Sequence, residues 1–173
     1  MVREIVVIKN PLKLNNMSSS TTITEKSNLL AEIEVSYKTK IKPSDRVKIT
    51  GAYVAHSILK DLYDPNRIEH LEESIILCVD RAGKMLGWCK ISTGGVAGTV
   101  VDPKVIFQIA LNCNASSIII SHNHPSGNLV VSAEDIKITK KLVEGGKLLD
   151  IVVSDHLIIT SEGYYSFAEE GLI

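Results

Sequence analysis

The 173-residue sequence has few cysteines, and none of them lies in a Cys-x-x-Cys pair. Cys78, Cys89 and Cys113 are odd in number and widely spaced, which argues against a disulfide framework and against a cysteine-based zinc site. Free thiols are typical of proteins in a reducing compartment. The cysteines therefore predict a cytoplasmic protein.

An excess of charge and long hydrophobic runs are also missing. The formal net charge is −1 at pH 7, so the sequence has no strong basic footprint for nucleic-acid phosphates. The apolar patch at residues 5–8 is far too short for a signal peptide or a membrane span. The glycine-rich loop at residues 93–99 lacks both GxGxxG and the Walker lysine, which makes a nucleotide site improbable.

The composition is that of one globular domain preceded by a polar segment. Hydrophobic residues make up 45% of the chain, enough at this length for a real core. Residues 10–28 are rich in Asn, Ser, Thr and Lys, a composition that buries little apolar area. We therefore predict a flexible leader over residues 1–30 and a folded domain over residues 31–173. The sequence does not reveal the oligomeric state.

Periodicity and turn residues predict a mixed α/β fold (α+β type), in which helices flank a central mixed sheet. Strands are expected at residues 1–9 and 31–37, at 74–80 and 84–92 as a hairpin, at 115–121 with both faces buried, and near 150–153 and 156–160. Helices are expected at residues 51–63, after the Asp102-Pro103 opening, and from Ser132 to Glu144 with a stop at Gly145-Gly146.

The buried strand ends in His122-Asn123-His124-Pro125, where most of the chemistry of the chain is concentrated. Side chains at i and i+2 of a strand share one face, so both imidazoles would project over the same spot. Asp135 lies eleven residues beyond His124, after a Pro-Ser-Gly break that lets the chain fold back. Two imidazoles and a carboxylate are a ligand set typical of catalytic zinc, with a fourth position left for water.

The same residues also permit a purely structural interpretation. Ser132-x-x-Asp135 fits a variant of the capping box that begins a helix, and a His-x-His pair alone is weak evidence for a metal. The spacing alone leaves the two interpretations about even. They compete for the single hydroxyl of Ser132.

At this point the sequence resembles a known family. His122-x-His124-Pro125 followed by Ser132-x-x-Asp135 resembles the JAMM signature of the JAB/MPN metalloprotease-like superfamily. The segments 122–128, 154–159 and 163–166 are similar to its bacterial RadC-type branch, and the resemblance extends from about residue 33 to the C-terminus. The chain looks like a short form without the helix-hairpin-helix module of full-length RadC-type proteins. The resemblance implies a JAB/MPN (cytidine-deaminase-like) architecture.

The resemblance also implies the roles of individual residues. Zinc would be bound by His122, His124 and Asp135, and Ser132 would stabilise an oxyanion. An upstream glutamate would act as general acid/base; Glu72 matches the family position best and Glu73 is the near competitor. The family usually carries an aromatic residue two positions after that glutamate, where this chain has Ser74.

The leading hypothesis is therefore a zinc-dependent metallohydrolase of the JAMM type, acting on a peptide or isopeptide bond in an unknown peptide or protein substrate. The alternative is a non-catalytic RadC-like accessory domain associated with DNA repair or mobile elements. A nucleobase deaminase is disfavoured, because the Pro-Cys-x-x-Cys ligands of that class are absent. Asp155-His156 is interpreted as a structural pair or as support for the metal ligands.

Overall fold

The fold is described from a computed structural model, which describes residues 3–9, 32–38, 41–95, 98 and 100–173. The chain divides into two compact units, one over Arg3–Lys38 and the other running from Thr39 to Ile173. No helix among the described residues is long and apolar enough to cross a membrane.

The first unit contains two antiparallel strands, β1 (Arg3–Lys9) and β2 (Glu32–Lys38). They are registered so that Arg3 lies opposite Lys38 and Lys9 opposite Glu32. Both strands were expected from the sequence. The segment between them, which makes up most of the predicted flexible leader, lies outside the described residues. The leader and the domain boundary at residue 31 therefore stay predictions.

The second unit is a mixed sheet flanked by helices, as the sequence predicts. The sheet has five strands, of which the last, at the C-terminal end, was not predicted, and it is flanked by three helices. Its elements are α1 (Ala52–Leu62), β3 (Glu73–Val79), β4 (Met85–Thr93), α2 (Pro103–Asn112), β5 (Ser117–Asn123), α3 (Ala133–Leu148), β6 (Val152–Ile159) and β7 (Tyr164–Ser166). The strand order is β4-β3-β5-β6-β7. Only β5 and β6, which are joined through α3, are parallel; the other neighbouring strands are antiparallel.

The central strand β5 is buried on both faces. On one face Ile119 packs with Ala55 and Leu59 of α1 in a hydrophobic core cluster. On the other face α3 packs on the sheet, and Thr139 Oγ1 of this helix lies 2.6 Å from His156 Nδ1 of β6. The run of isoleucines in β5 is explained by this double burial, because each face of the strand contributes to a core.

The hairpin and the predicted start of α2 are confirmed. At the β3–β4 turn, the Asp80 carboxylate accepts hydrogen bonds from the amides of Ala82 and Lys84, and Gly83 adopts a positive φ of 75°. At the start of α2, Asp102 caps the helix by accepting from the Lys104 amide. In both places an aspartate carboxylate accepts hydrogen bonds from backbone amides that have no carbonyl partner nearby.

The predicted end of α3 is wrong. The helix does not stop at Gly145-Gly146 but continues through both glycines to Leu148. A Cβ at Gly145 would lie 2.8 Å from the Phe107 ring of α2, and one at Gly146 would overlap the carbonyl oxygen of Ile151. The glycines therefore serve close packing of α3 on its neighbours rather than helix termination.

The two strands predicted near residues 150–153 and 156–160 form one continuous strand, β6. Its pairing with β5 shifts by one residue, because Ile118 lies opposite Val153 whereas Ile119 lies opposite Asp155. Ser154 is thus the extra residue of a bulge. The bulge disturbs the apolar alternation of β6, which made one strand look like two.

The close contact at Gly146 predicts the sign of a stability change. In an exposed helix, glycine to alanine stabilises by about 1 kcal/mol through helix propensity. We expect Gly146→Ala to destabilise instead, with an overpacking cost of about 1–3 kcal/mol, because the obstacle is backbone. Urea unfolding measures the change. Gly163→Ala is the control, since its Cβ would meet only Leu129 at 4.0 Å; a stabilised Gly146→Ala variant would contradict the prediction.

Candidate metal centre

The two histidines lie at the carboxyl end of β5 and face the same side. His122 is buried, and the backbone of His124 continues the ladder by donating from its amide to the Ile159 carbonyl at 2.9 Å. The Nε2 atoms of the two rings are 3.1 Å apart. The i, i+2 spacing therefore produces the convergence of imidazoles that the sequence predicts.

Asp135 reaches the histidines from the first turn of α3. The chain reverses after His124, where the Gly127 amide donates to the His124 carbonyl and Gly127 has a φ of 74°. Asp135 Oδ1 then lies 3.3 Å from His122 Nε2. His122, His124 and Asp135 each offer one ligand atom, and all three atoms lie within 4.8 Å of one another. This group could hold a metal ion.

Ser132 and Asp135 form a complete capping box at the start of α3. The Asp135 amide donates to Ser132 Oγ at 3.1 Å, while Asp135 Oδ2 accepts from the Ser132 amide at 2.9 Å and from its hydroxyl at 2.7 Å. The cap holds one carboxylate oxygen and leaves Oδ1 directed at His122. Capping and metal binding by Asp135 are therefore compatible, and the cap orients this candidate ligand.

The environment keeps the His122 ring neutral. Burial lowers the pKa of His122 to about 4, against the opposing effect of the Asp135 carboxylate and with a further lowering from His124. A neutral imidazole retains the lone pair that a metal needs. His124 Nδ1 lies 2.6 Å from the Asn128 carbonyl oxygen. A carbonyl only accepts, so Nδ1 carries a proton, and Nε2 is the nitrogen that His124 can offer to a metal.

The two candidate glutamates lie in different surroundings. Glu73 is buried, and its carboxylate is bound by Arg67 at 3.0 Å and Lys90 at 2.8 Å. Ser74 is registered opposite His122, so continuing that register by two residues sets Glu72 opposite His124. Glu73, the first residue of β3, lies on the side of α1, and the same alternation continued one residue before the strand puts Glu72 on the side of the histidines.

Asn123, between the two histidines, holds the glutamate segment against β5. On the face away from the histidines, its Oδ1 accepts from the Glu73 amide at 2.7 Å, and its Nδ2 donates to the carbonyls of Ile68 at 2.6 Å and Leu71 at 2.9 Å. In the sequence Asn123 is only the spacer between the two histidines. Because successive side chains of a strand point to opposite faces, the alternation itself indicates that Asn123 contacts the other side of the sheet.

His156 and Asp155 separate into two roles. Asp155 ties β6 to the C-terminal segment, accepting from the Ser166 hydroxyl at 2.6 Å and the Ala168 amide at 3.0 Å. His156 Nε2 instead lies 2.9 Å from His122 Nδ1. Burial, with smaller contributions from His122 and His124, holds the pKa of His156 well below its usual value. Asp155 is thus structural, and His156 lies directly behind a candidate ligand.

The Asn123 clamp predicts a loss of stability on truncation. Asn123→Ala leaves the Glu73 amide and two carbonyls without their partner, and one unsatisfied buried group costs about 1–3 kcal/mol. We expect the free energy of unfolding, measured with urea, to decrease by at least this amount. Asn66→Ala is the control, because exposed Asn66 bonds only to nearby Asp64. Equal stability of the two variants would argue against the clamp.

Comparison with known proteins assigns the chain to a family. A family model described as "RadC-like JAB domain" matches residues 51–172, a range that includes every residue of the candidate metal centre. The match covers the larger compact unit almost completely. It agrees with the mixed five-stranded sheet and its three helices.

Relatives from bacteria and archaea are similar over the same region. A protein of Flavobacterium johnsoniae is 40% identical over 72% of this chain and 53% of its own length. A Methanococcoides burtonii protein is 38% identical over 85% of this chain and 63% of its own length. Both are named "UPF0758 protein", which describes no activity. The chain spans between 36% and 63% of the length of the curated relatives compared with it, and it belongs to the RadC-like JAB domain family.

Proposed function

We propose that this domain is a zinc-dependent hydrolase of the JAMM type that cleaves a peptide or isopeptide bond. The observation that carries the proposal is that His122, His124 and Asp135 each offer one ligand atom within 4.8 Å of the other two, with His122 Nε2 close to both His124 Nε2 and Asp135 Oδ1. The three residues come from a strand end and a helix start, and hydrogen bonds hold each of them from behind. Such support is typical of a preorganised ligand set.

The spacing of the ligand atoms supports zinc. Two atoms bound at about 2.0–2.1 Å to one tetrahedral zinc lie about 3.3 Å from each other. The two measured spacings from His122 Nε2 are 3.1 Å to His124 Nε2 and 3.3 Å to Asp135 Oδ1. A set of two neutral imidazoles and one carboxylate, with no fourth protein ligand among the described residues, is also the pattern of catalytic rather than structural zinc.

The proposed mechanism divides the work between the metal and two side chains, Glu72 and Ser132. A bound zinc supplies Lewis acidity, which lowers the pKa of water to about 7 and polarises a carbonyl. Glu72 takes the proton of the attacking water and passes it to the leaving amine. The strand register supports Glu72 over Glu73, whose carboxylate is already bound by Arg67 and Lys90.

Ser132 is proposed to donate its hydroxyl to the oxyanion that develops on the substrate carbonyl. Its hydroxyl now donates to Asp135 Oδ2. The capping box does not need this donation, because the Ser132 amide also binds Oδ2 and Ser132 Oγ accepts from the Asp135 amide. The hydroxyl proton can therefore turn to a substrate while the cap persists.

Metal content and substitution of the glutamates test the proposal together. We expect one zinc per chain by elemental analysis, and its loss in Asp135→Asn. Glu72→Gln should keep zinc but lose about 10²–10⁴-fold in turnover, the usual value of a general acid/base. The assay uses a panel of fluorogenic peptides and peptides linked through a lysine ε-amine.

Glu73→Gln is the matched control for Glu72→Gln. It should lower the stability by weakening the contacts to Arg67 and Lys90, yet keep turnover per folded molecule. A wild-type protein that takes up no zinc near neutral pH would overturn the proposal. A zinc-loaded protein that hydrolyses nothing in the panel would instead favour a non-catalytic accessory domain.

Two substitutions of Ser132 separate its proposed oxyanion role from its capping role. Alanine at a helix N-cap costs about 0.5–2 kcal/mol, whereas glycine costs only a few tenths. Both remove the hydroxyl. Ser132→Ala and Ser132→Gly should therefore lose turnover equally while differing in unfolding free energy. If turnover instead follows stability, Ser132 acts only as a cap.

A further inference from the structure

A buried chain of hydrogen bonds runs behind His122. His122 Nδ1 lies 2.9 Å from His156 Nε2, and His156 Nδ1 lies 2.6 Å from Thr139 Oγ1. Thr139 Oγ1 also donates to the Asp135 backbone carbonyl at 2.6 Å. The chain therefore begins at the ring of one candidate ligand and ends at the backbone of another.

The carbonyl at the end of the chain can order every proton in it. A carbonyl only accepts, and the Thr139 hydroxyl has a single proton to donate. When Thr139 donates to Asp135, its oxygen accepts from His156 Nδ1–H. The bare His156 Nε2 then accepts from His122 Nδ1–H. His122 Nε2 is left with its lone pair directed at His124 and Asp135.

The opposite proton order is also satisfied, but it blocks the metal. Thr139 then donates to His156 Nδ1, His156 Nε2–H donates to His122 Nδ1, and His122 Nε2–H donates to His124 Nε2 3.1 Å away. That last acceptor is available because His124 Nδ1 donates to the Asn128 carbonyl. Both orders contain the same number of protons and keep all three imidazoles neutral.

We propose that His156 and Thr139 are positioning residues that set the tautomer of His122 for metal binding through Nε2. The inference rests on the proposed metal centre and deepens it. In the proton order that admits a metal, His122 and His156 both carry their proton on Nδ1, and the Thr139 hydroxyl donates to the Asp135 carbonyl, as it does in this structure. The two orders differ by no net proton at these three residues.

The relay is needed because the partner of His122 is an imidazole. A metal-binding histidine usually gives its second N–H to a carboxylate or carbonyl, which can only accept. A neutral imidazole can donate or accept, so His156 needs Thr139 to make it an acceptor. The His156 ring is itself held in place, because it is buried and stacks on Phe167 with ring centroids 4.7 Å apart.

Zinc affinity tests the relay without a substrate. Thr139→Val keeps the branched shape but removes the hydroxyl, whereas Thr139→Ser keeps the hydroxyl. Loss of such supporting partners typically weakens metal binding 10–100-fold. By competition with a chromogenic chelator, we expect Thr139→Val to raise the zinc Kd of the full chain by about this factor and Thr139→Ser to stay near wild type. Unfolding without zinc verifies that each variant folds.

The tautomers of the wild-type protein give a second readout that packing alone would not change. Long-range ¹H–¹⁵N spectra of the imidazole rings should show His122 and His156 as Nδ1–H tautomers with zinc bound. A zinc-bound His156 protonated at Nε2 overturns the relay, as does an unchanged zinc Kd in Thr139→Val. If the wild-type chain binds no zinc, the proposed function fails and the relay with it.

Discussion

The two-residue period of β5 is the constraint on which the rest of the site depends. Because the strand is central and buried on both faces, each successive residue is assigned to one of two separate environments. His122 and His124 face α3, whereas Ser121 and Asn123 face α1, where Ser121 bonds the Tyr63 hydroxyl at 2.9 Å. One strand thereby supplies two candidate ligands on one side and the clamp for the glutamate segment on the other.

Helix capping and ligand orientation use the same atoms in α3. The first turn of a helix lacks intrahelical partners for its amides, and the Ser132–Asp135 box satisfies two of these donors. The same bonds leave a single carboxylate oxygen facing His122. A structural interpretation and a metal interpretation of this motif are therefore compatible, because the helix cap fixes the orientation of the third candidate ligand.

The two wrong predictions of the fold have a common cause. In each, a short sequence pattern was interpreted by its usual local structure, although a contact with another element decides the structure here. A Gly-Gly pair normally ends a helix, but here the pair lets α3 approach Phe107 and the Ile151 carbonyl. A disturbed apolar alternation normally separates two strands, but here it marks the bulge at Ser154. In both cases the deciding contact comes from another element, which no local pattern describes.

The sequence by itself determined the fold class, because periodicity and turn residues are local features. It also supplied the three candidate ligands, because two histidines at i, i+2 on a strand and an aspartate eleven residues after the second histidine can be recognised locally. Only the tertiary structure revealed that Glu73 is bound by Arg67 and Lys90, since these two residues come from other parts of the chain. Only the tertiary structure brought His156 and Thr139 behind His122. These residues come from β6 and α3, and the parallel pairing of β5 with β6, with α3 packed across it, decides that they meet.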